Sequence, residues 1–396
     1  MKISSVGTVA FRGYFYLQSG ENIEPEKLKK ENKQTKRAER FKVDVPIYQK
    51  TYDKNGSIFS AQYETKGEVA DLKTNPVSKK HLKNLFKNLY YLDRAGIYHN
   101  DLDPAHLFFA DDGGVEIDCF RFSLNFVKKT DGELKGNDGS IRTPDFMMPS
   151  NESALEEQFL GGYLSKMDNE EDKNIFMKNY LKERSYYHQK RADMLINRGF
   201  MPDDDTVQFE IIQSKVFKNP SDEVIEFNKQ KAELLGQKRA AFTEWDEGDG
   251  ACNHPVDPVR RFNSIIMHLD CIKDAMELKN QAQNLAGSSK NDDEQRYFEF
   301  ELKCEDLLLK NLYNDTKGMG EWNFKDNIKD IYLAGESEMN MFSDMYSEID
   351  ITKPLDKNRD KIEKVQSYYE DLSYDWRINC EDEWMERYAE KCGIQE

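Results

Sequence analysis

The sequence has no apolar run approaching the ~18 residues that a bilayer-spanning helix needs, so no membrane span is expected. Cysteine is sparse. The six residues Cys119, Cys252, Cys271, Cys304, Cys380 and Cys392 show no disulfide-framework spacing. A reducing, cytoplasmic setting is the expectation that follows. Basic residues are in deficit: 57 Lys and Arg face 74 Asp and Glu, a net charge of −17. A chain this acidic repels a phosphate backbone, which argues against nucleic acid as a partner. Walker motifs, a G-x-S-x-G elbow and internal repeats are absent. The opening MKISSVGTVAFRGYFYL carries one early Lys and an interrupted apolar stretch, unlike a secretory leader.

What is there reads as a folded, soluble chain. At ~100–200 residues per domain, 396 residues suggest two domains. Aromatics at 12% are too frequent for a disordered chain. Val9, Phe11, Tyr14 and Tyr16 alternate as strands do, and Pro25 opens a basic helix over 24–40. VPIYQKTY and SIFSAQY flank Asn55-Gly56 and predict a hairpin over 45–63. Ser78 caps a helix whose Leu82, Leu85, Phe86 and Leu89 form one buried face, and Gly96 ends it. Two apolar runs, 107–109 and 115–118, are joined by the turn Asp112-Gly113-Gly114. Residues 128–144 read as a polar, mobile loop, and 150–198 as helix. The second half reads as all helical, with helices at 222–245, around 262–276, and near 295–314, 355–371 and 381–392.

Chemistry concentrates in HNDLDPAHLFFADDGGVEIDCF, residues 99–120. A capped helix ends at Gly96. A short loop then presents His99, Asp101, Asp103 and His106, and a hairpin delivers Asp118. Asp101 and Asp118 at the two ends of one hairpin could hold a divalent cation and orient a hydroxyl group.

This stretch resembles the catalytic segment of the protein-kinase-like superfamily, H-R-D-x-x-x-x-N followed by a hairpin and D-F-G. Here the residues are His99-Asn100-Asp101, then His106, then Asp118-Cys119-Phe120. The H-N-D spelling is similar to choline- and aminoglycoside-kinase-like enzymes. The helix ending in AGIYH, the hinge-like 63–72 and Arg142–Pro149, similar to the end of an activation segment, agree with it. The resemblance implies an α+β, bilobal kinase-like domain over residues 1–200, with a reduced N-lobe (1–68) and a C-lobe (69–200). An all-α C-terminal domain over 205–396 follows. It also implies ATP and Mg or Mn as cofactors. Asp101 would deprotonate the acceptor, Asp118 and His106 would hold metal, and Arg12 and Glu64 would contact nucleotide. Glu31 would pair with Arg12.

The departures bear on activity. No glycine-rich loop precedes Arg12, Arg replaces the usual Lys, and Phe120 replaces a Gly. His106 replaces a magnesium-binding amide, and imidazole suits manganese better. The leading expectation is an atypical phosphotransferase acting on a protein rather than a small molecule. The alternatives are a pseudokinase that binds a protein partner, and a metal-dependent hydrolase using the same loop. A separate C-x-H…H-x-x-C set, Cys252, His254, His268 and Cys271, has zinc-like spacing, but its last two residues fall in an apolar helix and read better as packed core.

Overall fold

Alternating β-prone residues and tight turns in the first third build sheets, and 3.6-residue periodicity thereafter builds helices. The computed structural model describes residues 14–18, 25–52, 58–126, 134–136, 141–142, 150–248, 257–325 and 336–379. The result is an α+β chain, mostly helical, with three small antiparallel sheets among the described residues and a helical C-terminal region. Two compact units divide at residue 232: Met1–Ala232 and Glu233–Glu396. The boundary is thus later than the 200–205 break expected from sequence. The helix Asp205–Val216 belongs to the first unit, where Val207 shares a buried cluster with Leu195.

In the first unit, β1 (Tyr14–Gln18), β2 (Ile47–Tyr52) and β3 (Ile58–Glu64) form one sheet in the order β1-β3-β2. The expected hairpin strands are present as β2 and β3, whereas the Asn55-Gly56 turn lies outside the described residues. Helix α1 (Pro25–Arg40) starts at proline as expected. A short β4 (Glu68–Val69) follows, and its partner is β6.

Helix α2 (Lys79–Ala95) has the buried face that its spacing predicts: Leu82, Leu85, Phe86 and Leu89 are at most 2% exposed. Such side chains contribute ~1.5–3 kcal/mol each on burial. Ser78 accepts the His81 N–H at 3.2 Å and the Ser78 N–H reaches His81 Nδ1 at 3.1 Å, a reciprocal cap. Gly96 ends the helix with φ at 65°, the left-handed conformation that favours glycine.

β5 (Ile97–Tyr98) leads into the 99–106 loop, and β6 (Leu107–Phe109) and β7 (Val115–Ile117) form the expected hairpin. β5 pairs with β8 (Leu124–Phe126), which extends to β9 (Leu134–Gly136) and β10 (Ile141–Arg142). These last two strands replace part of the polar loop expected over 128–144. Backbone pairing between Leu134 and Arg142 supplies the order that the side chains did not advertise.

Helix α3 (Asn151–Leu155) runs into α4 (Gly161–Leu164) through one wide π turn, Glu156–Leu160. Helices α5 (Glu170–Asn197) and α6 (Asp205–Val216) complete the unit with the start of α7 (Asp222–Gly248).

In the second unit, α8 (Pro258–Ser288), α9 (Asp292–Lys325), α10 (Glu336–Ser347) and α11 (Arg359–Asn379) pack through aromatics. Tyr369 meets Phe262 and Phe342 with ring centres 5.8 and 5.7 Å apart. Gly320 lets α9 approach α10, since a Cβ there would lie 2.2 Å from the Phe342 ring. The helix expected over 381–392 lies outside the described residues.

Candidate functional site

The loop after β5 is held from below by buried polar groups. The His99 N–H donates to Asn151 Oδ1 at 2.7 Å, and Asn151 Nδ2 donates to Asp93 Oδ1 at 2.6 Å and to the Ile97 carbonyl at 2.8 Å. Asp93 in turn accepts from Tyr187 at 2.7 Å and Arg191 at 2.9 Å. Arg191 also pairs with Glu210 at 2.7 Å, and His188 Nδ1 donates to Glu210 at 2.7 Å. Burial disfavours the Glu210 carboxylate, but Arg191 and His188 outweigh it and lower its pKa. Arg184 joins His188 at 3.0 Å, Glu156 at 2.7 Å and Glu152. A continuous chain of paired groups therefore runs from α6 through α5 to the loop.

The π turn completes the support. Gln158, within it, accepts the Leu102 N–H and directs its amide nitrogen at the Asn100 carbonyl. Asn100 itself is left-handed, with φ at 61°, a conformation that asparagine tolerates better than most residues.

His99 is fully buried, and its Nε2–H donates to the Asp118 carbonyl at 2.7 Å. Burial drives its pKa down to about 3, so the ring is neutral. Phe120 packs edge-on against it at 4.8 Å. This bond ties the loop that carries Asp101 to the strand end that carries Asp118.

Three of the residues expected at the site, Asp101, His106 and Asp118, come together. Asp103 caps the turn Pro104–His106 through the Ala105 N–H at 3.0 Å and so places His106. His106 Nδ1 lies 2.8 Å from Asp118 Oδ1, and its Nε2 lies 3.4 Å from Asp101 Oδ2. Burial works against the charged imidazole, but Asp118, with help from Asp101 and Asp103, outweighs it and raises the His106 pKa. Cys119 adds a member that sequence reasoning did not assign. Its Sγ donates to Asp101 Oδ2 at 3.3 Å. Its backbone is left-handed, φ 61°, so the special conformation falls on Cys119 rather than on Phe120, where a glycine was missed. His99 does not join the cluster as a ligand, since its Nε2–H is committed to a carbonyl.

The remaining expected residues lie apart. Glu31 is fully buried on α1, while Arg12 lies outside the described residues. Helix α1 reaches the strand beyond Asp118 instead through Gln34 and Arg37, which donate to Asn125 Oδ1 at 2.9 and 3.1 Å. Glu64 lines a cleft of about 620 Å³ with Lys66, Gly67, Asn75 and Asp111. Gly67 is required there, because a Cβ would sit 2.4 Å from the Phe109 carbonyl carbon.

The zinc-like spacing in the second unit resolves as core where it is described. His268 Nδ1 is 2.8 Å from the Ser264 carbonyl, and its ring meets Phe242 edge-on at 4.8 Å. Burial pushes the Cys271 thiol up to about 12. Cys252 and His254 lie outside the described residues. Among the described residues, no helix is long and apolar enough to cross a membrane. Compared with known proteins, the chain matches no family and no curated sequence.

Proposed function

We propose that the first unit is an atypical kinase-like phosphotransferase domain with a protein acceptor, in which Asp101 receives the proton of the acceptor hydroxyl. The observation that carries this reading is the 2.7 Å bond from His99 to the Asp118 carbonyl. It fixes two carboxylates at the two ends of one hairpin, one for the acceptor and one for a cation. The antiparallel pairing of β5 with β8 supports the same bilobal kinase-like reading.

In the transfer, the acceptor oxygen forms a bond to the terminal phosphorus of ATP, and the bridging P–O bond breaks. The hydroxyl proton passes to Asp101. The buried chain from Arg191 through Asn151 keeps the loop in place, so Asp101 acts mainly by position. Magnesium, which takes oxygen ligands, fits an imidazole-bearing set poorly, whereas manganese suits Asp118 with His106. Such an ion would neutralise phosphate charge. The cleft at Glu64 is the place for the nucleotide base, and Arg12 would reach phosphate with Glu31 as its partner.

A second reading, a pseudokinase that binds a protein partner, is favoured by one observation. Asp118 is engaged by His106 and Asp101 by Cys119, so both carboxylates are already occupied.

The test is thermal stability with ATP plus Mn²⁺ or Mg²⁺, paired with transfer of labelled phosphate to a protein acceptor. A ligand at 100 times its Kd adds ~2.7 kcal/mol. The reading expects a manganese-dependent shift that Asp118→Ala abolishes, and transfer that Asp101→Asn lowers by ~10²–10⁴-fold. A shift without transfer supports the binding module. No shift with either metal overturns the nucleotide site.

A further inference from the structure

We propose that Asp101, His106 and Cys119 form a binding site for a thiophilic divalent cation of the zinc class, with Asp118 orienting the imidazole. The donor atoms of the three residues all lie within 4.8 Å of one another. They offer one oxygen, one nitrogen and one sulfur. That set is unlike the all-oxygen shell magnesium takes, and thiolate with imidazole selects zinc.

The separations suit the ion. Ligands held at ~2.0–2.3 Å around a tetrahedral zinc lie ~3.3–3.8 Å from one another. Cys119 Sγ is 3.3 Å and His106 Nε2 3.4 Å from Asp101 Oδ2, so two edges of the tetrahedron are already set. The Asp118 contact is the second independent feature. At 2.8 Å from Nδ1, it accepts the Nδ1 proton and leaves Nε2 facing Asp101 and Cys119, the carboxylate–histidine–metal arrangement of natural zinc sites.

Access is open on one side: the His106 and Asp101 side chains are 24% and 17% exposed. Three protein ligands leave a fourth position for water or another ligand. Without the ion, the Cys119 thiol proton bridges to Asp101. Binding expels that proton, and the Nε2 proton as well when His106 is charged, so protons leave as the ion enters.

One consequence rests on the phosphotransferase reading. An ion on Asp101 Oδ2 removes that carboxylate from the acceptor hydroxyl, so zinc inhibits transfer while manganese supports it.

The experiment titrates Co²⁺, a coloured stand-in for zinc, into the full-length, nucleotide-free chain. The expected result is a thiolate-to-cobalt charge-transfer band that Zn²⁺ bleaches and Cys119→Ser removes, with the circular dichroism unchanged. Asp118→Asn should weaken the metal by ~10–100-fold without abolishing the band. His106→Gln, which removes the imidazole, should weaken cobalt binding more than Asp118→Asn does. No band in the wild type, or an equal band in Cys119→Ser, overturns the site. Because no nucleotide is present, this outcome stands whether or not phosphate transfer is ever observed. If transfer is observed, zinc that inhibits wild type and Cys119→Ser equally overturns the regulatory consequence alone.

Discussion

Two polar regions of the first unit use the same residue types to opposite ends. Beneath the loop, Arg191 sits between Asp93 and Glu210 at 2.9 and 2.7 Å, and Arg184 sits beside Glu152 and Glu156. Each of those carboxylates faces a guanidinium, and the Arg191 and Asp93 side chains are only 2% exposed. At the loop's surface, Asp101 and Asp118 share one imidazole, with a thiol as the other donor. The difference lies in what is left to coordinate. Buried carboxylates that each face a guanidinium fix geometry and are closed to a ligand. A half-open cluster with exchangeable protons on an imidazole and a thiol can trade them for a metal.

The largest expected effect comes from breaking the buried region. Arg191→Leu strands Asp93 and Glu210 in the core and should cost ~3–5 kcal/mol in urea denaturation. His106→Gln, at the open cluster, should cost ~1 kcal/mol or less. Equal losses would erase the contrast between scaffold and site. Next in size is Asn151→Ala. It leaves the His99 N–H without its acceptor and should cost ~1–3 kcal/mol, with a fall in any transfer or cobalt affinity as the loop loosens. A stable variant with an unaltered site would show that the loop does not depend on this anchor.

The smallest effect sharpens the comparison by pH. The Glu210 pKa is lowered in the folded chain, so its contribution is fully present above the ordinary unfolded value of about 4.3. It is lost as pH falls through the depressed folded value. Denaturant stability measured from pH 6 down to 3 should therefore fall less steeply in Glu210→Gln than in wild type.

Local signals made some of this legible. Four leucine and phenylalanine positions at helical spacing, a capping serine and a terminal glycine defined α2 at both ends. The short loop and hairpin were enough to bring Asp101, His106 and Asp118 together. Asn151 and Gln158 were not legible, because their partners lie 52 to 58 residues away in sequence and an amide carries no periodic signature. Nor was α10, whose Glu- and Met-rich sequence has no capping signal that sequence reasoning used. The contribution of Cys119 depends on a left-handed backbone that nothing in a non-glycine sequence announces. The segment 143–149, set beside an activation segment on its sequence, lies outside the described residues.

The wide turn over Glu156–Leu160 holds one residue more than a regular helical turn. Deleting one of those five residues would let the ladder close as ordinary α-helix with its flanks in nearly the same relative orientation, but it would remove the position from which Gln158 meets Leu102 and Asn100. Asn151 on the near flank anchors His99, whereas Tyr163 on the far flank accepts the Val77 N–H at 3.0 Å. Both of these flank contacts should survive that closure, whereas the Gln158 contacts to the loop should not. At this point the chain carries one residue more than a regular helix needs, and what the extra residue supplies is the aim of Gln158 at the loop, so a single-codon deletion here should disturb the loop more than the fold.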